Sequence, residues 1–210
     1  MRPSRRSFSP ALVAVAALMV LGETICFASL RPGYSHIANT ISELGETGAP
    51  NAHLVAFAFF LPVGLLVWLA LGLVHRCATD RDTRFALLAF CCLGTGYALS
   101  AAFPCDPGAP LFGTWRTLVH NALGVIDYAG TGLGFLLIAR HFAAQKASTL
   151  SFAFIVTGIL MLFSVPLLLP AIHCRGLIQR ITEVIQFAGV FFLCYWLSGN
   201  TTPDKSDRSR

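Results

Sequence analysis

Ala52-His-Leu-Val-Ala-Phe-Ala-Phe-Phe-Leu-Pro-Val-Gly-Leu-Leu-Val-Trp-Leu-Ala-Leu-Gly-Leu-Val74 holds no ionisable side chain beyond His53 near its start. A bilayer core about 30 Å thick is crossed by roughly 20 apolar residues in a helix rising ~1.5 Å per residue, so this stretch reads as a transmembrane span. Five further blocks of the same kind follow from the sequence: 8–29, 85–103, 118–139, 150–170 and 177–197. The chain of 210 residues is 55% hydrophobic and only 12% charged, against about 25% charged in soluble proteins. An all-α bundle of six transmembrane helices is the expectation, forming one domain over 1–200, followed by a polar cytoplasmic tail over 201–210. The first block has a basic start (Arg2, Arg5, Arg6) and small residues at Ala28 and Ser29, as a cleavable signal does. Its length and Glu23 favour a retained span.

The formal charge of +5 could suggest nucleic acid, but the basic residues lie between apolar blocks and no nucleic-acid motif is present. Arg2, Arg5, Arg6, Arg76, Arg81, Arg84, Arg140, Lys146, Lys205, Arg208 and Arg210 fall on one side of the spans. Only Arg31, Arg116 and Arg175 fall on the other, with Arg180 inside the last span. The positive-inside rule then places both termini in the cytoplasm of a cell-membrane protein.

Charged side chains at bilayer depth cost roughly 2.5–3.5 kcal/mol on insertion scales. Glu23, His53, His120, Asp127, Arg180 and Glu183 are the ionisable residues in the spans, and all fall in the outer half. That one-sidedness points to a pocket opening outward and binding a lipid headgroup or small amphiphile. His120 and Asp127, seven apart, share a helix face. Gln179, Glu183 and Gln186 form a polar stripe at i, i+4, i+7, and Arg180 is the expected partner of Glu183, Glu23 or Asp127. The competing reading is interhelical glue through hydrogen bonds.

The first outer loop, Arg31–Asn51, predicts a short amphipathic helix from Ser35 to Gly45, with Ile37, Ile41 and Leu44 on its apolar stripe. The second, Phe103-Pro-Cys-Asp106, is too rich in proline to be helical and sets Asp106 at the rim. Cys105 and Cys174 both lie in outer loops and could form a disulfide, with Cys26 as a rival partner. Cys77, Cys91, Cys92 and Cys194 read as packing residues. Gly130 and Gly134 give the fourth span a GxxxG spacing suited to close helix packing.

Arg31-Pro-Gly-Tyr34, Ile41-Ser-Glu-Leu-Gly45 with Gly48-Ala-Pro50, Phe103-Pro-Cys-Asp106 and His120 together resemble the domain of unknown function 998 family of prokaryotic membrane proteins. The resemblance covers nearly the whole chain. It implies a multi-span membrane fold and no established reaction, and the family is distantly similar to eukaryotic multi-span proteins linked to lipid organisation.

Three functions compete. Binding or transport is favoured by the polar cluster, though no duplicated half suggests an inverted-repeat transporter. An intramembrane hydrolase of lipid-like substrates would use Ser42 or Ser35 as nucleophile, His120 or His53 as base and Asp106 or Asp127 as orienter. Alternatively His53, Asp106 and His120 could hold a metal, although no GxSxG or HExxH motif is present. A structural partner would need no polar cluster. No resident cofactor or metal is expected, membrane lipids are the expected partners, and nucleic acid is not.

Overall fold

The computed structural model describes residues 8–199. The basic residues Arg2, Arg5, Arg6, Lys205, Arg208 and Arg210, and the tail over 201–210, lie outside the described residues. Among these residues there is no strand, and six helices are long and apolar enough to cross a membrane. They are α1 (Ser9–Ser29), α2 (Ala52–His75), α3 (Arg81–Ser100), α4 (Trp115–Ala144), α5 (Ser148–Leu167) and α6 (Arg175–Gly199).

Local chemistry sets the ends. Asp80 caps α3, accepting from Thr83 N at 2.9 Å, and the Thr114 hydroxyl caps α4, accepting from Thr117 N at 3.5 Å. In α2 the turn Ala56–Phe60 widens to a π turn, with Leu61 N–H reaching back to Ala56 O. The widening precedes Pro62, whose ring would clash with the Ala58 carbonyl in a regular helix.

Outward faces are apolar. Leu18, Phe57, Leu69, Leu88, Phe152, Phe163 and Val184 are all exposed, as a bilayer-facing surface requires. Inside, Phe90 meets Phe135 edge-on with ring centroids 4.9 Å apart, and Phe142 stacks on Phe154 at 5.5 Å. A side-chain carbon on Gly130 would run into Cys92, and one on Gly134 would sit 2.9 Å from Phe90, so the GxxxG spacing serves the α3–α4 contact within this chain.

One end of the bundle, its polar end, is knitted by three loops, 30–51, 101–114 and 168–174. Thr47 N donates to Cys105 O at 2.8 Å and Leu177 N to Ile37 O at 3.0 Å. The amphipathic helix expected over Ser35–Gly45 is not formed as such. Only Ile41–Gly45 is helical, as a 3-10 helix. Thr40 is extended (φ −75°, ψ 159°), and the Asn39 side chain bonds Ser35 N at 2.8 Å and Glu43 at 2.6 Å. These local bonds compete with helix continuation. Ile41 and Leu44 are 3% and 2% exposed while Ile37 is 56% exposed, so the segment plugs the bundle instead of floating on an interface.

Candidate functional site

The plug is held by ions. Thr40 and Glu43 form a capping box, in which Glu43 Oε1 accepts from Thr40 N at 2.7 Å and from the Thr40 hydroxyl at 3.0 Å. The same oxygen meets Arg175 Nη2 at 3.0 Å, and Arg175 also donates to Gly108 O at 2.8 Å. Arg31 pairs with Glu46, whose other oxygen accepts from Gly108 N at 2.7 Å. Loop 30–51 thus supplies both carboxylates together with Arg31 and Thr40, while Gly108 of the second loop and Arg175 at the start of α6 supply the remaining partners. Charge-assisted bonds of this kind fix loops that have little apolar core of their own. Sequence alone leaves Glu43, Glu46, Arg31 and Arg175 without a role. The Thr40-x-x-Glu43 spacing is the one signal there that points to the plug.

Beneath the plug, Ile41 N donates to Gln179 Oε1 at 2.6 Å. Two adjoining cavities lie here. The inner chamber, about 50 Å³, is walled by Gly96, Tyr97 and Ser100 of α3, His120, Asp127 and Tyr128 of α4, and Gln179 and Glu183 of α6. It has room for one or two waters. The vestibule, about 160 Å³, has an apolar wall that includes Val125, Val165, Leu168 and Leu169. Ser42, His120, Gly124, Tyr128 and Gln179 line both and form the shared boundary, or neck, between them.

The protein engages both oxygens of Glu183 and one oxygen of Asp127. Glu183 accepts from Tyr97 OH at 2.9 Å and Tyr128 OH at 2.7 Å. Asp127 accepts from Gln186 Nε2 at 2.6 Å, and Gln186 Nε2 also reaches the Thr131 hydroxyl at 2.9 Å. The α6 stripe expected at Gln179, Glu183 and Gln186 therefore faces inward, all three residues being buried. A side-chain carbon on Gly96 would lie 2.7 Å from Asp127 Cβ, so only glycine lets α3 approach there. The tyrosine partners are missed when only charged residues are weighed in the spans; Tyr97 lies one turn from the end of α3 and Tyr128 near the middle of α4.

His120 is buried and its Nδ1 lies 2.8 Å from Phe103 O. A carbonyl can only accept, so Nδ1 carries the proton and Nε2 is left as a lone pair with no partner among the described residues. The Ser42 and Ser100 hydroxyls likewise have no hydrogen bond among the described residues. Free acceptors and hydroxyls thus line a chamber that contains no arginine or lysine.

Other expected site residues lie elsewhere. Arg180 bonds no carboxylate among the described residues. It donates to His36 O, Asn39 O and Gly176 O at 2.8–2.9 Å and to Tyr34 OH at 2.7 Å, because these loop and helix acceptors lie within reach. Tyr34 OH is pushed up to about 12, by burial first and against the pull of Arg180. Glu23 is fully buried, has no hydrogen-bond partner among the described residues and is outside the chamber wall. His53 is exposed at the start of α2. Asp106 accepts from Thr114 N at 2.6 Å and the Thr114 hydroxyl at 3.0 Å, anchoring α4 instead of orienting His120. The Thr114 amide holds its carboxyl below the ordinary range. Ser35 accepts from Ile37 N in a local turn, away from the chamber. No three His, Cys, Asp or Glu side chains that could hold a metal come together among the described residues, so His53, Asp106 and His120 do not form a centre.

The Cys105–Cys174 disulfide is not formed. Cys105 is buried with its thiol 3.7 Å from Ser42 O, whereas Cys174 is exposed and free. Burial, followed by the nearby Glu46 and Glu43 charges, pushes the Cys105 thiol up to about 12.

Several of the motifs that carry the family resemblance have places in this arrangement. Arg31 and Glu43 build the plug, Phe103 orients His120, and Asp106 anchors α4. No curated protein and no solved structure matches the chain. A family model does match, over residues 11–196, and the chain belongs to the family described as Protein of unknown function (DUF998).

Proposed function

We propose that this multi-pass protein sits in the cell membrane with its termini in the cytoplasm, and binds the polar head of a lipid or small amphiphile in the chamber. The asymmetry of lysine and arginine between the loops supports the orientation. One observation carries the binding reading: His120 Nε2 and the Ser42 and Ser100 hydroxyls line a single chamber without partners among the described residues. Each is open to the cavity, so a ligand that bonds several of them gains the ordinary net worth of a hydrogen bond, about 0.5–1.5 kcal/mol, at each. With Asp127, Glu183 and a histidine lone pair around it, the chamber suits a donor-rich head, hydroxylated or carrying an ammonium. An anion is disfavoured. The apolar vestibule would take the adjoining tail.

Gly124 gives the test. A side-chain carbon there meets nothing within 4 Å, since it points into open space at the neck. Gly124→Leu should fill the neck while leaving the helix intact or firmer. Mass spectrometry of extracts from the purified protein should find a hydroxylated or ammonium amphiphile near one per chain. The variant should hold about tenfold less at unchanged thermal stability. Equal retention would discard the binding reading.

A second reading, hydrolysis of a lipid-like ester or amide, draws on Ser42 and His120 lining the same two cavities. His120 Nε2 would take the Ser42 proton, with the Phe103 carbonyl replacing an aspartate as orienter. It ranks second because Asp106 is engaged with Thr114. Ester turnover lost in both Ser42→Ala and His120→Ala would raise it above binding.

A further inference from the structure

We infer a second lipid site, in the groove between α1 and α6, which takes one acyl chain of a glycerophospholipid and pairs its phosphate with Arg180 and Thr24. The groove encloses about 500 Å³ and is walled by Val13, Ala17 and Leu21 of α1 and Val184, Ala188 and Phe191 of α6. From Val13 to Thr24 it runs ~16 Å along the helix. Its walls are apolar, and at the polar end the lining changes to Thr24 and Arg180. There the Thr24 hydroxyl and the Arg180 Nε–H are both buried and without a partner among the described residues. Thr24 is only 6% exposed, so its hydroxyl does not face bulk water.

Charge identifies the occupant. Arg180 is in no ion pair among the described residues. Its other donors rest on neutral carbonyls and the Tyr34 phenol. Glu183 also lines the groove, but both its oxygens are taken by Tyr97 and Tyr128. A guanidinium with a spare donor and an unpaired hydroxyl, both lining the polar end of an apolar slot, match a phosphate oxygen above an acyl chain. The site does not depend on the chamber, because Gly124→Leu leaves the groove open.

Native mass spectrometry of the full chain, titrated with phosphatidylglycerol in a mild detergent, tests it. The wild type should retain one lipid. Ala188→Trp and Ala17→Phe, which add bulk inside the groove, should each weaken retention about tenfold or more. Ala153→Trp, an exposed position on α5, should change nothing. Thr24→Val keeps the side-chain shape, removes the unpaired hydroxyl and should weaken retention severalfold without lowering thermal stability. The site is refuted if the wild type retains no lipid, or if Ala188→Trp retains as much as the wild type. It is refuted too if Ala153→Trp loses lipid equally, which marks a general annulus. A dimer lost in Ala188→Trp with lipid unchanged would assign the groove to a second copy instead.

Discussion

Arg175 Nη2 sits 3.0 Å from Glu43 Oε1, and both side chains are almost wholly buried. The first residue of α6 thus locks the 3-10 helix over the chamber. Removing one member of a buried pair strands the other charge, which costs about 3–5 kcal/mol. Arg175→Met should therefore lower unfolding free energy by about that much in denaturant titrations. Adding Glu43→Gln should restore part of the loss, because no buried charge is then unpaired. Additive losses would show that the two do not interact.

The phenols of Tyr97 and Tyr128 together satisfy Glu183. Tyr128→Phe or Tyr97→Phe alone should cost about 1–3 kcal/mol. The double variant should cost more than the sum, since Glu183 then has no donor left. Thermal unfolding of the four proteins in one detergent measures the coupling, and simple additivity would argue against a shared partner.

The spans are legible in the sequence because bilayer thickness fixes their length, and the α6 stripe because a helical period of 3.6 puts Gln179, Glu183 and Gln186 on one face. Seven-residue spacing places His120 and Asp127 together for the same reason. The plug is not legible, because its conformation depends on partners far away along the chain. Arg175, which counts as a loop charge by position, begins a helix and reaches Glu43, and Arg180 prefers the carbonyls of 36 and 39 to any acid. Ser35–Gly45 has a helical period, but Asn39 and Thr40 engage the local backbone with their side chains and stop the helix. Cys105 and Cys174 share an end of the bundle, yet one is buried under Ser42 and the other exposed.

That difference predicts thiol chemistry. Only a thiolate reacts readily with a maleimide. Cys105, buried and pushed up to about 12, should stay unmodified at pH 8, while exposed Cys174 is labelled. Peptide mapping should give the same pattern with and without reductant. Labelling of Cys174 that appears only after reduction would instead indicate a cystine.

Asp106 predicts a pH effect of definite sign. Its carboxyl is held below the ordinary value by the Thr114 amide, so the folded state favours the charged form. The resulting stabilisation is fully present above the unfolded value of about 3.9 and is lost as pH falls through the lower folded value. Amide exchange at Thr114 should accelerate on acidification through that window. Asp106→Asn should remove the pH dependence, and a variant as acid-sensitive as the wild type would assign the effect to another group.

The proposed outward exposure of the cavities at the polar end is tested most directly at Gly124, which lines both. In a chain with Cys26 and Cys174 replaced by serine, Gly124→Cys places a thiol in the open neck. A small, charged methanethiosulfonate added to intact cells should modify it at once, and the parent without this cysteine should stay unmodified. Modification only after the membrane is permeabilised would invert the orientation, and none under either condition would mean the chamber has no opening.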